Sequence, residues 1–91
     1  MRKDDIMKLI EESVEITETG KDPMRRARTK LLVSRLNVSE IDEDDTKVVV
    51  KMSLSNPTPS DIKKTYRLMR RITPYIVTRL DLRKKLIFNV E

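Results

Sequence analysis

Thr58-Pro59-Ser60-Asp61-Ile62-Lys63-Lys64-Thr65-Tyr66-Arg67-Leu68-Met69-Arg70-Arg71 is the stretch on which the reading of this 91-residue chain turns. Thr58 as N-cap, Pro59 at the first helical position and Asp61 at the third make a helix start signal. Beyond it, Ile62, Tyr66, Met69, Ile72 and Ile76 recur at helical spacing and form one apolar stripe. Lys63, Lys64, Arg67, Arg70 and Arg71 centre roughly 160° away on the helical wheel. The helix therefore offers a stripe to a core and a row of cations to solvent. Pro74 interrupts the pattern and is expected to kink or end the helix around Ile72 or Thr73, because proline lacks the amide donor and crowds the preceding turn. Tyr75 to Leu82 reads equally as further helix or as strand.

Working back from that helix, the pattern predicts an antiparallel hairpin, with strands at about Lys30–Glu40 and Thr46–Leu54. Setting Glu40 opposite Thr46 places Val38 against Val48, Leu36 against Val50, Ser34 against Met52 and Leu32 against Leu54. These residues share one face, as a sheet buried on a single side requires. The loop is then Ile41-Asp42-Glu43-Asp44-Asp45. Its carboxylates lack the EF-hand glycine and distal glutamate, so they read as a charged hairpin tip and not as a Ca²⁺ or Mg²⁺ site. Asp22-Pro23 ahead of the hairpin reads as a cap and first-turn proline, followed by one or two helical turns over Met24-Arg25-Arg26-Ala27-Arg28. A helix running on to Leu36 is the competing reading, but its apolar positions scatter around the wheel, and the strand fits the hairpin better.

The amino-terminal segment is a helix capped by Asp4 or Asp5, with Ile6, Leu9, Ile10, Ser13, Val14 and Thr17 inward and Glu11, Glu12, Glu15 and Glu18 outward. Gly20, the only glycine, stands where a helix ends. At the other end, Lys85 to Val90 alternates, with Leu86, Phe88 and Val90 on one side, and predicts a closing strand. The expected fold is α+β: a single domain over residues 1–91 in the order α-β-β-α-β, its antiparallel or mixed sheet carrying helices on one face.

Composition narrows the function. With no cysteine and no histidine, disulfides, thiolate metal sites and the commonest general base are absent. One glycine provides no phosphate-cradling loop. The expectation is a non-enzymatic protein with no cofactor, soluble and cytoplasmic, since no apolar run has the length of a membrane span. High charge, a single glycine and the missing Cys and His also suit a thermophilic source. The hydrophobic share of 37% supports only a small core, so a homodimer is one way to add stability.

The net charge of +5 is segregated: residues 1–20 and 39–60 are acidic overall, and residues 21–38 and 61–85 are basic. Such blocks give distinct surfaces. Two basic clusters are candidate binding residues for phosphates or an acidic partner: Lys63, Lys64, Arg67, Arg70 and Arg71, and Arg25, Arg26 and Arg28 with Lys30. Arg83, Lys84 and Lys85 are a candidate extension. Sequence does not place the clusters side by side, and a solvated helix face is the competing reading. The function expected is a binding module or accessory subunit of a nucleic-acid-associated assembly, touching DNA or RNA through backbone phosphates. The alternative is a protein–protein adaptor without nucleic-acid contact.

The order of elements, together with Val48-Val49-Val50-Lys51-Met52-Ser53-Leu54-Ser55-Asn56-Pro57 and the turn at Glu18-Thr19-Gly20, resembles the small α+β domain of iron–sulfur-cluster assembly factors. The resemblance implies a fold of that kind. That family's cysteine would fall near Thr58-Pro59, where this chain has none, and Ile16-Thr17 stands where the family has Asp-Pro. The resemblance therefore assigns no functional residue here; a divergent domain of that type that has lost its cysteine is the second alternative function it implies.

Overall fold

A computed structural model describes all 91 residues. Helix α1 spans Lys3–Thr17, α2 Pro23–Ser34 and α3 Pro59–Leu80; strands β1, β2 and β3 span Leu36–Glu43, Lys47–Leu54 and Lys85–Val90. The sheet is mixed: central β2 pairs antiparallel with β1 and parallel with β3. The expected class is thus present, with one more full helix than the sequence suggests.

That helix replaces the first half of the expected hairpin strand. The Asp22 carboxylate caps α2 by accepting from the Met24 amide at 3.0 Å, and Pro23 fits the first turn. The helix continues through Leu32 and Val33 because both reach the core, Val33 being buried and Leu32 partly so. A strand in the expected register would have turned Val33 to solvent.

The hairpin register is shifted accordingly. Leu36 faces Leu54 and Val38 faces Met52; after a bulge at Ser39, Ile41 faces Val50 and Glu43 faces Val48. Two polar devices set this register. Asp44 Oδ1 accepts from the amides of Thr46 and Lys47 at 2.7 and 2.9 Å, which tightens the turn to Asp44, Asp45 and Thr46. Those amides hold the Asp44 carboxyl below the usual aspartate range. On the open face, Lys51 lies 3.3 Å from Glu40 and 3.0 Å from Asp42. Ile41, expected in the loop, thereby packs against the core.

The core lies between the sheet and the helices. It joins Ile6, Ile10 and Val14 of α1, alternate residues of each strand, and Leu68, Met69, Ile72 and Ile76 of α3. α1 differs from expectation at both ends: its N-cap is Arg2, without a side-chain cap, and Glu18 is 3% exposed instead of facing outward. Gly20 adopts φ +84° in the turn after it, a conformation that costs glycine little.

α3 starts with the expected capping box: Thr58 Oγ1 accepts from the Asp61 amide at 3.1 Å, and Asp61 Oδ2 from the Thr58 amide at 3.2 Å. It ends at Asp81, which is left-handed at φ 49°. Pro74 neither ends the helix nor displaces its stripe. It lies on the exposed face, where water can reach the Arg70 carbonyl that proline leaves without its helical donor. Ile72 and Ile76 are fully buried on either side and hold the helix in place. Replacing Pro74 by alanine restores the missing bond, and the urea midpoint should rise by the equivalent of about 1–2 kcal/mol with an unchanged slope. The buried stripe runs through Thr65, Leu68, Met69, Ile72 and Ile76. It is rotated by roughly 40° from the expected one, toward Leu68 and away from Tyr66. No helix is long and apolar enough to cross a membrane.

Candidate basic groove

Rotation of the α3 stripe divides the cations of this helix between two flanks. Lys64, Arg67 and Arg71 lie on the flank toward α2, following Leu68; Lys63 and Arg70 lie on the other. All five are exposed. α2 presents Arg25, Arg28 and Leu32 to the same space at helical spacing, so two stripes line one groove of about 610 Å³. Its cations are Arg25, Arg28, Arg35, Lys64, Arg67 and Arg71, and its carboxylates are Asp22 and Asp61. The two clusters that the sequence leaves unrelated therefore meet.

The remaining candidate residues do not join them. Arg26 and Lys30 turn toward Glu15 on α1, at 3.8 and 3.1 Å. Lys84 is taken by Glu43 of β1 at 2.7 Å. Lys63 and Arg70 sit on the flank of α3 that carries Tyr66, outside the groove lining.

Ion pairing sorts the groove further. Arg35 closes α2 and donates to the carbonyls of Ser55 and Asn56 at 2.7 and 2.9 Å, and to Asp61 Oδ2 at 3.1 Å. It ties the end of β2 to the start of α3. The Thr58 amide, and then the Arg35 guanidinium, hold the Asp61 carboxyl below the usual aspartate range. Arg35 and Asp61 thus neutralise one another and belong to the scaffold. Arg25 and Arg71 share one carboxylate, Glu18: Arg71 Nη2 donates to Oε1 at 3.0 Å, and Arg25 Nε stands 4.0 Å from Oε2. The second distance is an ion pair too long for a hydrogen bond, and Oε2 has no hydrogen-bond partner. Arg28, Lys64 and Arg67 have no acidic partner within 4.0 Å.

With Arg35 and Asp61 cancelling, three unpaired cations and two that share Glu18 outweigh Asp22, so the groove is net positive. No family model, no curated protein and no solved structure matches this chain. What the groove can bind therefore follows from its own chemistry. No group of three or more carboxylates converges to hold a metal ion.

Two residues that matter here, Glu18 and Arg35, are not singled out by the sequence reading. For Glu18 a signal exists: it follows Ile6, Ile10 and Val14 at intervals of four, which continues the inner line of α1. For Arg35 there is none, because its partners lie 20 or more residues away along the chain.

Proposed function

We propose that this protein is a non-enzymatic binding module, a small accessory subunit of a nucleic-acid-associated assembly, whose groove between α2 and α3 holds backbone phosphates. One observation carries the reading: Arg25, Arg28, Lys64, Arg67 and Arg71 converge from two helices on one concave surface. Each phosphate neutralised there releases condensed counterions, so affinity should fall with salt at a log–log slope of about −0.9 per contact on duplex DNA. Counting the three unpaired cations alone, or adding the two shared with Glu18, gives an expected slope between about −2.7 and −4.5. Fluorescence anisotropy of a labelled nucleic acid across a salt series measures it. A flat salt dependence, or no binding at low salt, would sink the reading.

A second reading is favoured by a separate feature. Leu31, which lines the groove, is 66% exposed, and Met24, two helical turns earlier on α2, is 65% exposed. Apolar contacts next to cations suit an acidic protein segment, and this adaptor role needs no nucleic acid. An affinity pull-down with and without nuclease separates the two. A partner retained after digestion supports the adaptor; one lost with the nucleic acid supports the phosphate groove.

A further inference from the structure

The groove lacks one thing that single-stranded nucleic acid uses. Unpaired bases gain affinity by stacking on exposed aromatic faces, and a single-strand channel combines such platforms with its cations. None of the groove-lining residues is aromatic. The three aromatic residues of the chain are all placed elsewhere. Phe88 is buried under the helices. The Tyr66 hydroxyl accepts from the Val90 amide at 2.9 Å, which fixes that ring over the end of β3. Tyr75 donates to Glu12 Oε1 at 2.9 Å on the α1 side. The apolar lining is limited to Leu31, Leu32 and Leu68, and Leu68 is 1% exposed.

A ligand in this groove is therefore held by charge, and the ligand with the denser charge is held more tightly. A duplex carries one phosphate charge per ≈ 1.7 Å of its axis, counting both strands, and releases more counterions per contact than a single strand. We infer that the groove takes the sugar–phosphate backbone of a double-stranded nucleic acid, leaving the bases paired and unread. The inference rests on the phosphate-binding reading above and narrows its ligand to a class. Arg28 on one wall and Lys64 and Arg67 on the other meet phosphates from both sides; Arg25 and Arg71, one on each wall, do so to the extent that Glu18 releases them. A concave groove that seats the backbone puts its cations on phosphates, which position a duplex without reading its bases, so binding tolerates any sequence.

The test uses the whole chain and a blunt DNA duplex, its two separated strands and the corresponding RNA duplex, all of matched length. Slopes of about −0.9 and −0.7 per contact, applied to three to five contacts near 0.1 M salt, make the duplex about four- to tenfold the tighter ligand. Scrambling its sequence should leave affinity within about twofold, well short of the change that a lost base-specific contact produces. A single strand bound as tightly as the duplex, or a strong dependence on sequence, overturns the inference while leaving phosphate binding intact. Failure of every nucleic acid to bind at low salt overturns phosphate binding as well.

Discussion

Reversing two charges on opposite walls of the groove, in the double variant Arg28→Glu/Arg67→Glu, is expected to lower nucleic-acid affinity by about 100-fold or more near 0.1 M salt. Each phosphate contact removed costs roughly eightfold under those conditions, and two carboxylates in their place add repulsion. The salt slope should flatten by about 1.8, which reports the two lost phosphates independently of absolute affinity. Both side chains are exposed and neither has an acidic partner, so the fold has little to lose. Circular dichroism and the urea midpoint should stay close to those of the parent, as for surface substitutions in general. The matched control is Lys63→Glu/Arg70→Glu, which changes the net charge equally on the outer flank of α3. Because those residues lie outside the groove lining, its effect should be at least tenfold smaller, coming only from the general field. Equal losses in the two double variants would show that net charge matters and the groove does not.

Local chemistry made part of this fold legible in the sequence. The start of α3 is readable because a capping box and a first-turn proline are complete within Thr58–Asp61. The closing strand is readable because Leu86, Phe88 and Val90 alternate on one buried face. The β1–β2 register is not. Two registers both bury Leu36, Val38, Val48, Val50, Met52 and Leu54, and what separates them is the Asp44 turn and the fate of Val33 and Ile41. The Asp44 turn is local, complete within Asp44–Lys47. The fate of Val33 and Ile41 is not, because it depends on burial against other elements, which no window of the sequence contains. Pro74 misleads for a related reason. Its penalty is local, whereas the burial of Ile72 and Ile76 that outweighs it comes from α1 and the sheet. As for the groove, its cations are identifiable as residue types, but their convergence depends on how α1, which touches both, places α2 and α3 side by side.

The second large effect concerns the ionic clasp that links α2 and α3 through α1. Glu18 closes α1, where the helix dipole already disfavours a negative charge, and it is almost wholly buried. Arg71 from α3 and Arg25 from the first turn of α2 offset this cost, so one carboxylate joins three helices. Replacing Arg71 by methionine removes the only guanidinium hydrogen-bonded to Glu18 and strands a buried charge with Arg25 at 4.0 Å. The expected cost is about 2–4 kcal/mol, read as a fall in Tm of roughly 10–20 °C for a domain of this size. Glu18→Gln should cost less, about 1–2 kcal/mol, because it removes the buried charge and leaves two half-exposed arginines that water can solvate. Its effect on binding should have the opposite sign. With Glu18 neutral, Arg25 and Arg71 turn fully to the groove, and duplex affinity near 0.1 M salt should rise by up to about tenfold for each additional phosphate they hold. A stability loss paired with tighter binding is the signature of a carboxylate that competes with the ligand for the same guanidiniums. If Glu18→Gln weakens binding instead, the arginines need Glu18 to hold them in position, and the groove works as a rigid template.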